Sequence, residues 1–224
     1  KSLLLTFAGI QDNLLFIIFW LSIVTYTMIG GFKTVIITDF FRIVFITIVF
    51  SGICVYSLLT SPLSFFSAQT FASLKEIFTS SDITLSSALR MILIPASFCI
   101  IEDDLAQKFF SAKTKATAGI AALYASFLLL LFAFIPFYFG IVTKLLQLPV
   151  AAGTSPLLPF LSSTTNSFFF TLGLCALLSA ITSTTDSLLC AISAVVTVGI
   201  HSACNIQSSL LLSRTIIFCT GIIT

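Results

Sequence analysis

The segment SAITSTTDSLL, residues 179–189, concentrates polar side chains inside one of the most apolar parts of the chain. Six hydroxyl side chains and the carboxylate of Asp186 lie between Ser179 and Ser187. Hydroxyl oxygens are hard, neutral ligands that suit a small monovalent cation such as sodium. Serine and threonine also compete for nearby backbone hydrogen bonds, which frees carbonyl oxygens. The segment is therefore a candidate for one half of a cation site.

Helical spacing places some of these side chains together. Residues three and four apart share a helix face, so Ala180, Ser183 and Thr184 form one patch. A carboxylate in a membrane helix usually faces protein or water, and we expect Asp186 to lie on the ion pathway, near its inner end. The same hydroxyls would also suit close packing of membrane helices. The segment alone leaves both interpretations open.

Composition assigns the chain to the membrane proteins. Of its 224 residues 58% are hydrophobic and only 8% are charged, whereas soluble domains carry about 25% charged residues. Runs without Asp, Glu, Lys or Arg cover 13–32, 43–74, 116–143 and 145–185. A membrane helix needs about 20 apolar residues, and backbone groups in lipid are satisfied within such a helix. We therefore expect an all-α polytopic protein.

The apolar runs predict six helices in a single transmembrane domain over residues 1–224. They lie near 13–29, 40–60, 86–101, 117–143, 167–199 and 210–224. Pro95 should kink or break the third helix, because proline removes a backbone donor and clashes one turn back. The chain begins with Lys1 and ends inside an apolar run. We expect it to be an internal piece of a longer protein.

Other candidate chemistry is sparse. Asp39 and Arg42, three residues apart at a predicted helix start, can form an ion pair. The triplet Glu102, Asp103 and Asp104 fits a solvated helix end, or the acidic site of an intramembrane enzyme. The six cysteines are dispersed and predict neither a metal site nor a disulfide framework. No feature points to a nucleic-acid partner.

Three blocks of sequence resemble the sodium:solute symporter family, which includes proline, pantothenate and sugar transporters. They are YTMIGGFKTVIITDFFR (26–42), QKFFSAKTKATA (107–118) and SAITSTTDSLL (179–189). Their order and spacing resemble the family over essentially the whole chain. The resemblance implies part of a fold of two inverted five-helix repeats, about core helices four to nine.

The resemblance also implies residue roles. Ser183 and Thr184 match the family's sodium-coordinating hydroxyl pair, and Ala180 matches the residue whose carbonyl joins them. Asp39 matches an acid linked to sodium-dependent transport and the inward exit. A further set, implied by spacing, faces the substrate cavity: Pro95, Phe98 and Cys99.

Three departures from the family pattern are visible. Arg42 stands where the family usually has glutamine, and Lys108 where it has arginine. Positions 102–104 carry acidic side chains where the family usually has asparagine or glutamine.

The resulting expectation is sodium-coupled symport of a small organic solute by an incomplete piece of a transporter. The chain would be a multi-pass protein of a bacterial inner membrane, partnered by lipid and by the upstream and downstream helices of the same transporter. Sodium would be the coupling ion, with no other cofactor and no enzymatic activity. Two alternatives remain: an inactive structural remnant, and an intramembrane enzyme using Glu102, Asp103 and Asp104.

Overall fold

The described residues of the chain are all helical outside short turns. The computed structural model describes residues 13–60, 75, 84–150, 155–204 and 210–223. Within these ranges there is no β-strand, which confirms the all-α prediction. The helices are α1 (Asn13–Thr60), α2 (Leu85–Ile101), α3 (Asp103–Phe110), α4 (Lys115–Leu145), α5 (Leu157–Thr164), α6 (Ser167–Cys204) and α7 (Leu210–Ile223).

Three of the described helices are long and apolar enough to cross a membrane. These stretches are Phe16–Thr60, Lys115–Leu145 and Ser167–Ser202. Two shorter apolar stretches, Leu89–Cys99 and Leu211–Ile222, correspond to two more of the predicted helices. A multi-helix membrane protein is what the charge-free runs predict, because long apolar helices satisfy their own backbone hydrogen bonds in lipid.

Helix α1 consists of two helical segments that meet at Gly31, where the sequence predicts two helices separated by residues 30–39. The helix continues on both sides of Gly31, the single residue inside α1 with non-helical backbone angles (φ 60°, ψ −167°). Residues 32–39 contain no proline or glycine, so nothing in them opposes helix. The predicted interruption is therefore present, but it is confined to Gly31, and residues 32–39 are helix and not loop.

We expect Gly31→Ala to lower the free energy of unfolding by about 1–3 kcal/mol, since this backbone region is essentially restricted to glycine. The effect should be conformational, because a Cβ at this position would meet no atom within 4 Å. Gly52→Ala is the matched control, for Gly52 is a helical glycine of α1 with the same free space. The control should match or exceed wild-type stability in detergent unfolding. Equal loss in both variants would contradict the assignment.

Helix α2 is not interrupted where proline predicts an interruption. It runs continuously through Pro95 and ends at Ile101, and the backbone of the following residue, Glu102, is extended (φ −70°, ψ 112°). Of the predicted kink or break at Pro95 the break is absent, because a membrane helix can re-satisfy the backbone groups that a proline frees. The Thr84 hydroxyl caps the start of α2 by accepting from the Ser87 N–H at 3.3 Å. Thr114 caps α4 in the same way, at 3.1 Å from the Thr117 N–H.

The chain divides into two compact units. The first comprises Lys1–Arg42 and Ala180–Thr224, and the second Ile43–Ser179. The second unit has an aromatic core in which the Phe139 and Phe160 rings stack with centroids 4.3 Å apart. The Tyr138 hydroxyl lies 3.0 Å from that of Ser57, so its polar end is satisfied inside this core. Such packing suits membrane helices, which gain stability from close contact and not from exclusion of water.

The described helices of the first unit are held together by close backbone approach and polar contacts. The Trp20 indole N–H donates to the Gly221 carbonyl at 2.6 Å. A Cβ on Gly221 would lie 2.6 Å from the side chain of Val24, so only glycine permits this approach of α7 to α1. The Ser193 hydroxyl of α6 donates to the Ser213 carbonyl of α7 at 2.9 Å. These contacts fix α1, α6 and α7 beside one another and so position the site.

Candidate functional site

Helix α1 contributes an acid and an arginine to the interior of the first unit. Asp39 and Arg42 are three residues apart and share a face, and their Oδ1 and Nη1 atoms are 3.6 Å apart. This confirms the ion pair that their spacing predicts. Arg42 also donates through Nη2 to the Tyr26 hydroxyl at 2.6 Å. Asp39 is only 7% exposed, so its charge depends on protein partners.

Helix α6 supplies two hydroxyls to the same carboxylate. Ser183 and Ser187 are one turn apart and face α1. The Ser183 hydroxyl donates to Oδ1 of Asp39 at 2.5 Å, and the Ser187 hydroxyl donates to Oδ2 at 3.2 Å. Each oxygen of Asp39 therefore receives a hydroxyl from the helix that the hydroxyl-rich segment forms.

Asp186 is the second acid of the site and is fully buried (0% exposed). Its Oδ2 accepts from Nη1 of Arg42, and its Oδ1 accepts from the Thr27 hydroxyl at 3.1 Å. Arg42 thus contacts both acids. We use the term polar cluster for Tyr26, Thr27, Asp39, Arg42, Ser183, Asp186 and Ser187.

The polar cluster holds more acidic than basic side chains. Two aspartates share the one guanidinium of Arg42. The other basic side chains in the described part of the first unit, Lys33, His201 and Arg214, are exposed. An uncompensated charge is costly inside a membrane protein, so a bound cation or a proton would stabilise the cluster. Carboxylate and hydroxyl oxygens are ligands for a hard cation.

The sequence-predicted ligands Ala180, Ser183 and Thr184 have different surroundings. Ser183 lies in the polar cluster. Thr184 is exposed, and its hydroxyl donates to the Ala180 carbonyl of its own helix at 3.3 Å. Asp39 and Asp186, which the sequence places on the ion pathway, are brought together through Arg42. Asp186 itself has no exposed surface.

The residues expected to face a substrate cavity lie on α2 in the second unit. Pro95, Phe98 and Cys99 are all exposed, and Phe98 retains 65% of its accessible surface.

The acidic triplet at 102–104 has ordinary local partners. Asp104 accepts from the Leu105 N–H at 2.8 Å and pairs with Lys108 at 3.6 Å. Among the described residues no three His, Cys, Asp or Glu side chains are grouped to hold a metal ion.

Two participants were not singled out by sequence reasoning. Thr27 contacts Asp186 across 159 positions of the chain, and Tyr26 contacts Arg42 from the other side of the Gly31 interruption. Both residues are far in sequence from the residues that they contact, so no helical spacing predicts these contacts. Both lie in the 26–42 block, one of the three on which the sequence analysis based its expectation.

Comparison with known proteins adds no assignment to this geometry. No protein-family model matches the chain, and no match is found among curated proteins or solved structures.

Proposed function

We propose that the chain is part of a sodium-coupled secondary transporter for a small organic solute. The observation that carries the proposal is the polar cluster: two buried acids share one arginine between two apolar helices. The resemblance of three sequence blocks to the sodium:solute symporters supports the same proposal. The rest of the transporter would come from upstream and downstream helices, in a bacterial inner membrane.

The proposed sodium position lies at Asp39, Ser183 and Ser187. A hydroxyl can donate its hydrogen to a carboxylate while it offers a lone pair to a cation. Ser183 and Ser187 already donate to the two oxygens of Asp39, so their remaining lone pairs and the carboxylate would form the oxygen shell. Thr184, which is exposed, and Ala180, which is half-buried, would meet ligands from another helix of the transporter, as the resemblance implies.

Sodium would couple to solute by stabilising one arrangement of the helices. Binding would compensate the carboxylate charge of the cluster and favour the contact of α1 with α6. If that arrangement also binds solute better, sodium raises the affinity for solute, and solute raises the affinity for sodium by the same factor. The packing of α1 against α6 would then depend on bound sodium.

The test is uptake into membrane vesicles carrying the gene product with its native flanking sequence. A pool of labelled amino acids, vitamins and sugars is offered under a sodium gradient, a proton gradient, or neither. Accumulation of one solute with sodium is the expected result. Accumulation driven by protons without sodium would overturn sodium coupling. Absence of accumulation under every gradient would favour an inactive remnant.

Within that assay we expect Ser183→Ala to raise the half-maximal sodium concentration about 10–100-fold. The variant removes a hydrogen bond to a charged group, which contributes about 1.5–3 kcal/mol. Thr185→Ala is the matched control, because the Thr185 hydroxyl donates only to the Ile181 carbonyl of its own helix at 2.9 Å. The control should keep wild-type sodium activation. Unchanged activation in Ser183→Ala would exclude this hydroxyl from the site.

A further inference from the structure

Helix α1 is bent at Gly31 within the first unit. The Tyr26 hydroxyl, before the interruption, accepts from Nη2 of Arg42, after it, at 2.6 Å. The two residues are 16 positions apart, and a straight helix would separate their Cα atoms by about 24 Å. The two side chains together do not reach across that distance. The hydrogen bond therefore requires that an N-terminal segment, residues 13–30, and a C-terminal segment, residues 32–42, are inclined towards each other.

Two consecutive glycines allow this bend. Gly31 has the non-helical backbone angles, and a Cβ on Gly30 would lie 2.5 Å from the Cβ of Thr34 in the C-terminal segment. Glycine permits many backbone conformations and favours none of them strongly. The angle between the two segments must therefore be set by contacts outside the bend itself.

Asp186 of α6 contacts both segments of α1. Its Oδ1 accepts from the hydroxyl of Thr27 in the N-terminal segment at 3.1 Å, and its Oδ2 accepts from Nη1 of Arg42 in the C-terminal segment. The carboxyl group has no exposed surface, so water does not compete for these contacts. A carboxyl group accepts hydrogen bonds when it is ionised and keeps acceptor capacity when it is protonated. The bridge therefore requires no particular ionisation state.

The contact with Asp186 also orients the Arg42 guanidinium. One nitrogen, Nη1, donates to Asp186, and the other, Nη2, donates to Tyr26. Guanidinium is a planar group with its donors in a rigid fork, so fixing one nitrogen directs the other. Both connections across the bend, through Thr27 and through Tyr26, thus depend on the Asp186 carboxyl group.

We propose that Asp186 is the positioning residue that sets the angle of α1 at Gly31. One short side chain holds both segments at a fixed separation. The C-terminal segment carries Asp39, which accepts from Ser183 and Ser187 of α6, so the angle also determines how Asp39 meets these hydroxyls. The inference goes beyond the proposed function, because the bridge needs neither sodium nor solute.

Contacts from α7 show which segment would move without the bridge. The Trp20 indole donates to the Gly221 carbonyl, and Nη2 of Arg214 lies 3.4 Å from the Ile29 carbonyl near the end of the N-terminal segment. These contacts keep the N-terminal segment beside α7 when Asp186 is replaced. We therefore expect the C-terminal segment to move away from it.

The experiment measures the distance between the two segments in the full-length protein, in lipid nanodiscs and without sodium. Spin labels are placed at Ile18 and Ile37 through non-canonical amino acids, because both residues are exposed and lie on opposite sides of Gly31. Pulsed electron paramagnetic resonance gives the distribution of distances between the labels. We expect Asp186→Ala to lengthen the mean distance and to widen the distribution relative to the wild type.

A second variant removes the bridge without removing the buried acid. Tyr26→Phe combined with Thr27→Val deletes the two hydroxyls of the N-terminal segment and leaves the pair of Arg42 with Asp186 in place. It should lengthen and widen the distribution in the same direction. Thr27→Ser, which keeps the hydroxyl, should retain the wild-type distribution.

Thr25→Val is the matched control, because the exposed Thr25 hydroxyl donates to the Leu21 carbonyl of its own helix at 2.6 Å. It should leave the distances unchanged. Unchanged distances in Asp186→Ala would overturn the inference, as would an equal change in Thr25→Val. If Asp186→Ala does not fold, the double variant decides, and wild-type distances there would overturn the inference. Because sodium is absent, these outcomes are independent of the uptake assay that tests the proposed function.

Discussion

Asp39→Asn should abolish sodium activation of uptake over the usable concentration range. Asp39 is the carboxylate that both α6 hydroxyls contact, and its neutralisation leaves Arg42 and Asp186 balanced at zero net charge. The cluster then has no need of a further cation. Removing one partner of a buried ion pair costs about 3–5 kcal/mol, which corresponds to about a 10²–10⁴-fold rise in half-maximal sodium.

The measurement for Asp39→Asn is initial uptake rate against sodium concentration at fixed ionic strength. Asp103→Asn is the matched control, since Asp103 is an exposed acid of α3 outside the cluster. Sodium activation of Asp39→Asn within about threefold of wild type would remove Asp39 from the cation site. Membrane insertion of both variants is checked by accessibility labelling, so that a missing protein is not read as a missing site.

The second large effect is on stability, in sodium-free medium. Arg42→Met should lower the free energy of unfolding by about 3–5 kcal/mol, because it leaves two buried carboxylates without a cation. Adding Asp186→Leu should recover most of that loss, because apolar replacement of a whole buried pair is often neutral or stabilising. Thr27 remains satisfied in the double variant through the Ile23 carbonyl at 2.8 Å.

Unfolding is followed by titration with a denaturing detergent, with all variants in the same lipid. Lys33→Met, which replaces an exposed cation of α1, serves as the control and should lie within about 0.5 kcal/mol of wild type. A single variant as stable as the wild type would show that the ion pairs contribute nothing. A double variant no more stable than the single would assign the loss to packing around Arg42.

The helical class and most helix positions could be predicted from charge-free runs alone, because the membrane imposes helix on long apolar segments. The interruptions were predictable only in part. The interruption expected after residue 29 is present at Gly31, whereas α2 continues through Pro95, the stronger helix breaker by intrinsic propensity. The packing of neighbouring helices determines whether a proline or a glycine interrupts its helix. The sequence alone does not reveal that packing.

The candidate site was predictable only where its contacts lie within one helix. Local spacing identified the Asp39–Arg42 pair and the hydroxyl-rich turn of α6. Every membrane hydroxyl can donate to the carbonyl four residues earlier in its own helix, as Thr184 and Thr185 do. Ser183 and Ser187 instead reach Asp39 on α1. Residue type does not distinguish these two behaviours, since the choice depends on the neighbouring helix.

The interruption of α1 has a consequence for the chirality of the chain. Gly31 adopts φ 60° and ψ −167°, and the mirror image of these angles is close to the extended conformation that L-residues adopt readily. The backbone at this position is thus suited to a D-residue. D-alanine, placed there by chemical ligation, would fit the observed angles and restrict the unfolded chain. L-residues other than glycine are therefore disfavoured at position 31. Glycine is tolerated because its Cα atom is not a chiral centre.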